Sequence, residues 1–307
     1  MQVIFRNRRL PFLLLLPTLI ILVLFLYYPI ISTFQLSFYQ AAPNGIDLRY
    51  IGLANYQRLL DPQIQQNEAG TIFVRNQYVL VLVRSLLFSG SIVIGGLALS
   101  LGAAMLANQK IRGIRIYRTL LIWPYAISPA IIGMIFLFMF NPVVGVINYV
   151  WNGIFGTRPL WLGDPFLTPL LIIMASIWKN LGYNIIFYLA GLQNISGELL
   201  EAASIDGANA WVRFRRIILP SLSPITFFLL ITNLTYSFFD IFGTIDILSG
   251  PGPQNSTTVL IYNLYRDLQT NHNTGMAAAQ SVMLFVLVAG LTVLQFRTSE
   301  RSVTYNA

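Results

Sequence analysis

Eight polar side chains stand inside strongly apolar sequence, and they are the residues most able to do chemistry. The stretch WKNLGYN at 178–184 places Lys179, Asn180, Tyr183 and Asn184 within two helical turns. A second stretch places Asn233, Tyr236, Ser237 and Asp240 at intervals of three, one and three, on one helical face. Burying such groups in lipid is costly, so they are expected to face a bundle interior or a solute cavity. An ammonium, three amides, hydroxyls and a carboxylate suit hydrogen bonding to a polar solute. The competing reading is interhelical hydrogen bonding, with Lys179 paired to a carboxylate. Gly182 permits a break or a close approach, and Arg84 is read as snorkelling from near its helix's outer end.

No bond-breaking chemistry is legible. A phosphate-cradling loop needs Gly-Lys followed by Ser or Thr. The two lysines follow Gln109 and Trp178 instead. There is no G-x-S-x-G elbow and no H-E-x-x-H helix. With no cysteine and one histidine, His272, disulfide frameworks and thiolate metal sites are excluded, and a histidine metal site has little support. The expectation is a transport subunit with no catalytic residue, metal or cofactor of its own. ATP and Mg would then sit on a partner ATPase.

The elements that must position these groups are membrane helices. Hydrophobic residues make up 56% of the 307, and charged residues 10%, against about 25% in soluble domains. A span needs roughly 20 apolar residues, which gives six: about 10–31, 78–106, 119–140, 167–190, 221–246 and 277–296. The first follows Arg6, Arg8 and Arg9 but lacks a cleavage site, and reads as a retained anchor. If both termini are cytoplasmic, the cytoplasmic segments hold those three with Lys110, Arg112, Arg115, Arg118, Arg213, Arg215, Arg216, Arg297 and Arg301. The external segments hold only Arg49, Arg58, Arg75, Arg158 and Arg266. That bias fixes orientation. It also accounts for the net charge of +8 without a nucleic-acid partner. The external segments carry turn signals at Pro43-Asn44-Gly45 and Asp61-Pro62, an interfacial hairpin with Trp151 and Trp161, and an amphipathic stretch at 258–268. Small residues four apart on the second span, Ser85 with Ser89, Gly96 with Ser100 and Ala98 with Gly102, favour close helix packing.

Between the fourth and fifth spans lies a cytoplasmic loop, 191–220, whose core reads EAASIDGANAWVRFRRIILP. Glu198 to Ala203 form a helix with a carboxylate in the first turn, where the helix dipole favours it. Asp206-Gly207 is a turn signal that admits positive φ. Arg213, Arg215 and Arg216 place positive charge at the membrane surface, and Pro220 marks the start of the next apolar run. Ala202 and Ala203 are small enough for another surface to approach the backbone.

The spacing E-A-A-x3-G-x9-I-x-L-P resembles the coupling loop of permease subunits in binding-protein-dependent ABC importers. Trp123-Pro124-Tyr125-Ala126 with Ser128-Pro129-Ala130, Phe140-Asn141-Pro142 with Gly145, Trp178-Lys179, Tyr183-Asn184, Phe238-Phe239-Asp240, Thr257–Arg266 and Ala279-Gln280-Ser281 extend the resemblance over nearly the whole chain. They resemble the carbohydrate branch, and within it the first permease subunits of glycerol-3-phosphate importers. The resemblance implies a type I importer transmembrane domain in a bacterial inner membrane. It implies a second, homologous permease, two cytoplasmic ATPase subunits and an external solute-binding protein. Glu201, Ala202, Ala203, Asp206, Gly207, Arg213 and Pro220 would belong to the ATPase-coupling loop. By analogy with maltose permeases, the spans either side of that loop would line the solute path. The solute would be a sugar, a glycosyl-glycerol or glycerol-3-phosphate. An ion-driven secondary transporter is the alternative, and would usually show inverted repeats, which this sequence lacks.

Overall fold

Two prolines break the third expected span. The computed structural model describes residues 10–41, 48–66, 72–109 and 112–299. Arg6, Arg8, Arg9, Lys110, Arg301 and the Pro43-Asn44-Gly45 turn lie outside the described residues. Among the described residues, five helices are long and apolar enough to cross a membrane: Phe12–Leu36, Gln77–Ala107, Leu167–Gln193, Ser223–Leu248 and Thr274–Thr298. A sixth span exists only as a bent pair, Ile114–Ala126 with Pro129–Met139, at 106°. The span expected at about 119–140 is thus bent, made of two half-length helices. The chain is nearly all helical, as expected, and divides into two compact units: 1–78 with 264–285, and 79–263 with 286–307.

In the first unit, α1 (Leu10–Leu22) runs through a π-turn, Val23–Tyr27, into α2 (Tyr28–Leu36). Pro29 lacks an amide hydrogen and crowds the carbonyl four residues back. The ladder adapts by a wider step, with the Tyr28 amide donating to the Val23 carbonyl. The strands β1 (Tyr39–Ala41) and β2 (Leu48–Tyr50) pair antiparallel, Tyr39 opposite Tyr50. Helix α3 (Ala54–Leu60) follows, then β3 (Gln63–Gln66) and β4 (Ile72–Arg75), also antiparallel. Fully buried Asn55 ties α3 to the first hairpin, donating to the Ser37 and Tyr39 carbonyls at 2.9 and 3.0 Å.

The second unit holds the remaining bundle. Helix α4 (Gln77–Ala107) precedes α5 (Ile114–Ile122), a 3-10 turn at Trp123–Ala126, and α6 (Pro129–Met139). A residue before proline avoids the helical region. Ser128 is accordingly extended at φ −66°, ψ 151°, and its hydroxyl caps α6 by accepting from the Ile131 amide. Helix α7 (Val146–Phe155) is held by buried Asn148, which donates to the Phe140 and Asn141 carbonyls and accepts from Trp161 Nε1 at 3.0 Å. Trp151 and Trp161 pack edge to face, 5.4 Å apart. Then come α8 (Leu167–Gln193), α9 (Gly197–Ile205), α10 (Ala210–Arg213), α11 (Leu219–Ser221), α12 (Ser223–Phe239) and α13 (Ile241–Leu248); α14 (Leu260–Gln269) and α15 (Thr274–Ser299) follow, and the division between the units falls within each of these two. A second π-turn, Phe214–Ile218, precedes Pro220 as the first precedes Pro29. Half-buried Arg84 donates to the Asn255 carbonyl at 2.6 Å, a directed contact that the snorkelling reading did not anticipate.

Two apolar clusters organise this unit. One joins Phe88, Ile92, Ile132, Phe136, Leu171, Ile172, Ala175, Ile241 and Ile245. The other joins Val93, Leu97, Ala104, Ile185, Tyr188, Leu189, Leu222 and Leu229. On α8 and on the α12–α13 rod, the polar residues fall between the two clusters, near the middle of each span.

Candidate functional site

The middle layer is built by α8, α12 and the break between α5 and α6. At that break α8 must approach backbone to backbone. A β-carbon on Gly182 would lie 2.5 Å from the Ile122 carbonyl oxygen and 2.8 Å from its α-carbon. Glycine therefore lets the broken span cross α8 one residue from the polar cluster. The broken backbone is tolerated at membrane depth where it is buried in protein or lines a cavity.

A cavity of about 530 Å³ opens here. Lys179, Asn180 and Tyr183 line it from α8. Thr232, Thr235, Tyr236, Phe239 and Asp240 line it from α12 and its C-terminus. Tyr125, Ala126, Ile127, Ser128 and Pro129 line it from the break. Lys179, 6% exposed, seats its ammonium 4.9 Å from the Tyr236 ring centroid and 5.3 Å from that of Tyr125. Such a cation over an aromatic face gains about 0.5 to 2 kcal/mol. Asp240, exposed, lines the same cavity. The Tyr125 and Tyr183 rings stand 5.1 Å apart and extend the aromatic wall. The Tyr236 hydroxyl is buried and has no hydrogen-bond partner among the described residues.

Five of the eight expected residues line the cavity: Lys179, Asn180, Tyr183, Tyr236 and Asp240. Asn184, Asn233 and Ser237 do not, and occupy helix–helix contacts behind its wall. Asn233 Nδ2 donates to Asn184 Oδ1 and to the Leu229 carbonyl, each at 2.7 Å. Its Oδ1 accepts from Asn180 Nδ2 at 2.6 Å and from Asn184 Nδ2 at 3.1 Å. The Ser237 hydroxyl meets that of Ser89 on α4. One helical face thus divides: its cavity side carries Tyr236 and Asp240, and its packing side carries Asn233 and Ser237. Sequence reasoning missed Tyr125, Ser128, Thr232, Thr235 and Phe239. The prolines at 124 and 129 were the available signal for the first two, because broken spans gather at cavities.

The 191–220 loop, expected to couple to an ATPase, is a second, separate feature. Helix α9 carries Glu201, Ala202 and Ala203, with Glu201 and Ala202 exposed. It ends in a left-handed turn at Gly207, φ 81°. The Gly207 amide donates to the Ser204 carbonyl and the Ala208 amide to the Ala203 carbonyl, at 3.1 and 2.9 Å. This paired pattern satisfies the last carbonyls of the helix and needs a residue free of a β-carbon at that turn. Asn209 then caps α10, its Oδ1 accepting from the Val212 amide at 2.9 Å. Arg213 donates to the Ser204 hydroxyl and so braces α10 against α9. Asp206 and Pro220 are exposed. So are the large apolar residues Ile205 (87%) and Trp211 (64%).

A family model described as binding-protein-dependent transport system inner membrane component matches residues 96–301. The chain is 40% identical over 306 residues to the sn-glycerol-3-phosphate transport system permease protein UgpA of Rhizobium meliloti (strain 1021), covering 99% of each. It is 40% identical over 310 residues to the protein of that name from Agrobacterium fabrum, again covering 99% of each. Its fold matches the crystal structure of a bacterial ABC transporter involved in the import of the acidic polysaccharide alginate, with TM-score 0.81, 26% identity and 96% of each chain covered. It also matches a bacterial alginate ABC transporter in complex with an alginate pentasaccharide-bound periplasmic protein, with TM-score 0.79, 26% identity and coverage of 95% and 94%. With its candidate spans, its braced loop between two of them and these relatives, the chain belongs to the binding-protein-dependent transport system inner membrane component family, as a multi-pass permease subunit of an ABC importer.

Proposed function

We propose that this permease carries a small hydroxylated solute inward through the cavity between α8, α12 and the broken span. The observation that carries this reading is the cavity itself. It lies mid-span on the two helices that flank the coupling loop, with an ammonium on its wall and a buried Tyr236 hydroxyl that has no partner among the described residues. Glycerol-3-phosphate is the first solute to test, because relatives 40% identical over almost the whole chain bear that name. Glycosyl-glycerols and disaccharides follow, since the structural relatives handle a polysaccharide.

The complex contains, on this reading, a second homologous permease, two cytoplasmic ATPase subunits that hold ATP and Mg, and an external solute-binding protein. Both termini are cytoplasmic, and nucleic acid has no part. ATP draws the ATPases together, and the α9 helix, gripped through Glu201 to Gly207, moves with them. The bundle opens outward to a docked, loaded binding protein, and hydrolysis returns it inward.

The test is uptake by the complete complex in proteoliposomes, with its binding protein and a panel of glycerol-3-phosphate, glycosyl-glycerol and disaccharides. Lys179→Met keeps the apolar stem and removes the charge. Uptake is expected to fall at least about tenfold, the scale of one desolvated charged contact, with basal ATP hydrolysis retained. Thermal stability is expected to stay near wild type, because Asp240 is exposed in the cavity and is not left as a buried charge. Wild-type uptake in this variant would remove Lys179 from the path. A large loss of stability would mark it as structural.

A further inference from the structure

The amides behind the cavity wall have a use that packing alone does not require. Asn233 is saturated: both amide hydrogens and both sides of its oxygen are engaged, by Asn184, Asn180 and the Leu229 carbonyl. Asn180 is its one partner that also lines the cavity. The 2.6 Å bond from Asn180 Nδ2 to Asn233 Oδ1 turns the donor end of Asn180 into the helix interface. That leaves its carbonyl end for the cavity. Were Asn233 absent, the Asn180 amide could rotate by half a turn and offer a donor instead, since the two ends have nearly the same shape.

We propose that Asn233, itself braced by Asn184, is a positioning residue that fixes Asn180 as a hydrogen-bond acceptor, so that the cavity reads a solute hydroxyl at that point. Asp240 stands on the same cavity wall as a second acceptor, and the ammonium of Lys179 is already seated on two rings. Two acceptors on one wall select a solute by the hydroxyls it donates. The inference rests on the cavity being the solute path, as proposed above.

The experiment compares uptake of a solute and its deoxy analogue by the complete complex in proteoliposomes. The probe pairs are glycerol-3-phosphate with 3-hydroxypropyl phosphate, and maltose with 2-deoxymaltose. The same wild-type binding protein serves every variant, so a change in the preference ratio reports on the permease. Asn180→Ala is expected to lower the preference for the hydroxylated member about threefold to tenfold, the range of one neutral hydrogen bond. Asn233→Leu should lower it equally, and the double variant no further. Asn233→Ala replaces the leucine variant if that one does not assemble. If Asn233→Leu slows both members of a pair alike and keeps the ratio, Asn233 only packs and the proposal falls. Additive effects in the double variant overturn it too. If Asn180→Ala transports both members as wild type does, the cavity reading itself has failed, and this inference with it.

Discussion

At the scale of single residues, the protein places its least replaceable side chains where backbone geometry is most constrained. Gly207 holds φ 81° and closes the paired hydrogen bonds at the end of α9. A residue with a β-carbon there costs about 1 to 2 kcal/mol, and a branched one more. Gly207→Val should open the turn and release α10 from its brace on Ser204. The expected outcome is normal insertion and assembly, with uptake lost while ATP hydrolysis continues. Parallel assays of uptake and ATP hydrolysis check it, and coupled wild-type transport would mean that the turn is not transmitting the ATPase motion. The sequence announced this residue through Asp206-Gly207. It could not announce that Arg213 would reach Ser204, because that contact depends on the angle between two short helices.

At the scale of elements, the broken span and α8 form one unit of design. The break supplies Tyr125 and Ser128 to the cavity, and it fits only because Gly182 lets Ile122 approach. Gly182→Ala puts a methyl into the Ile122 backbone. Overpacking of that kind costs about 1 to 3 kcal/mol, and a backbone neighbour yields less readily than a side chain. Thermal unfolding of the purified complex should start at lower temperature, and uptake should fall with it. Gly90→Ala on α4 is the matched control, since a β-carbon there meets nothing within 4 Å. Equal behaviour of the two variants would show that the crossing is looser than described. The prolines at 124 and 129 were legible as punctuation, but a continuous apolar count ran straight through them and returned one span.

At the scale of the whole molecule, the proposed orientation puts the coupling loop and the 249–273 segment on opposite sides of the membrane. Between them runs one span, Ser223–Leu248. The chain has no cysteine, so single thiols introduced at exposed Ala210 and exposed Thr270 report cleanly. Ala210→Cys should react with a membrane-impermeant reagent only from the cytoplasmic side, and Thr270→Cys only from outside. Labelling of both from one side would break the topology. The inner-membrane placement rests on the family; the proposed side facing the ATPases rests on the arginine count, which this labelling tests.

What the sequence determined by itself is whatever depends on local composition and spacing. Apolar runs longer than a bilayer is thick can only be spans. The E-A-A-x3-G loop can only turn where glycine allows it, and neither Gly-Lys-Ser nor Gly-Lys-Thr occurs in the chain. What tertiary structure decided is the division of labour within one polar face. Asn233 and Asp240 share a helical stripe, yet one is saturated by amides of α8 and the other looks into a cavity. Periodicity gives the angle of a side chain about its own helix axis. It does not give the neighbour on the far side, and in a membrane, where lipid and helix are equally apolar, that neighbour is set by close packing and directed hydrogen bonds. The Gly182 crossing and the Asn184–Asn233 pair are those choices, and they exist only once the helices have met.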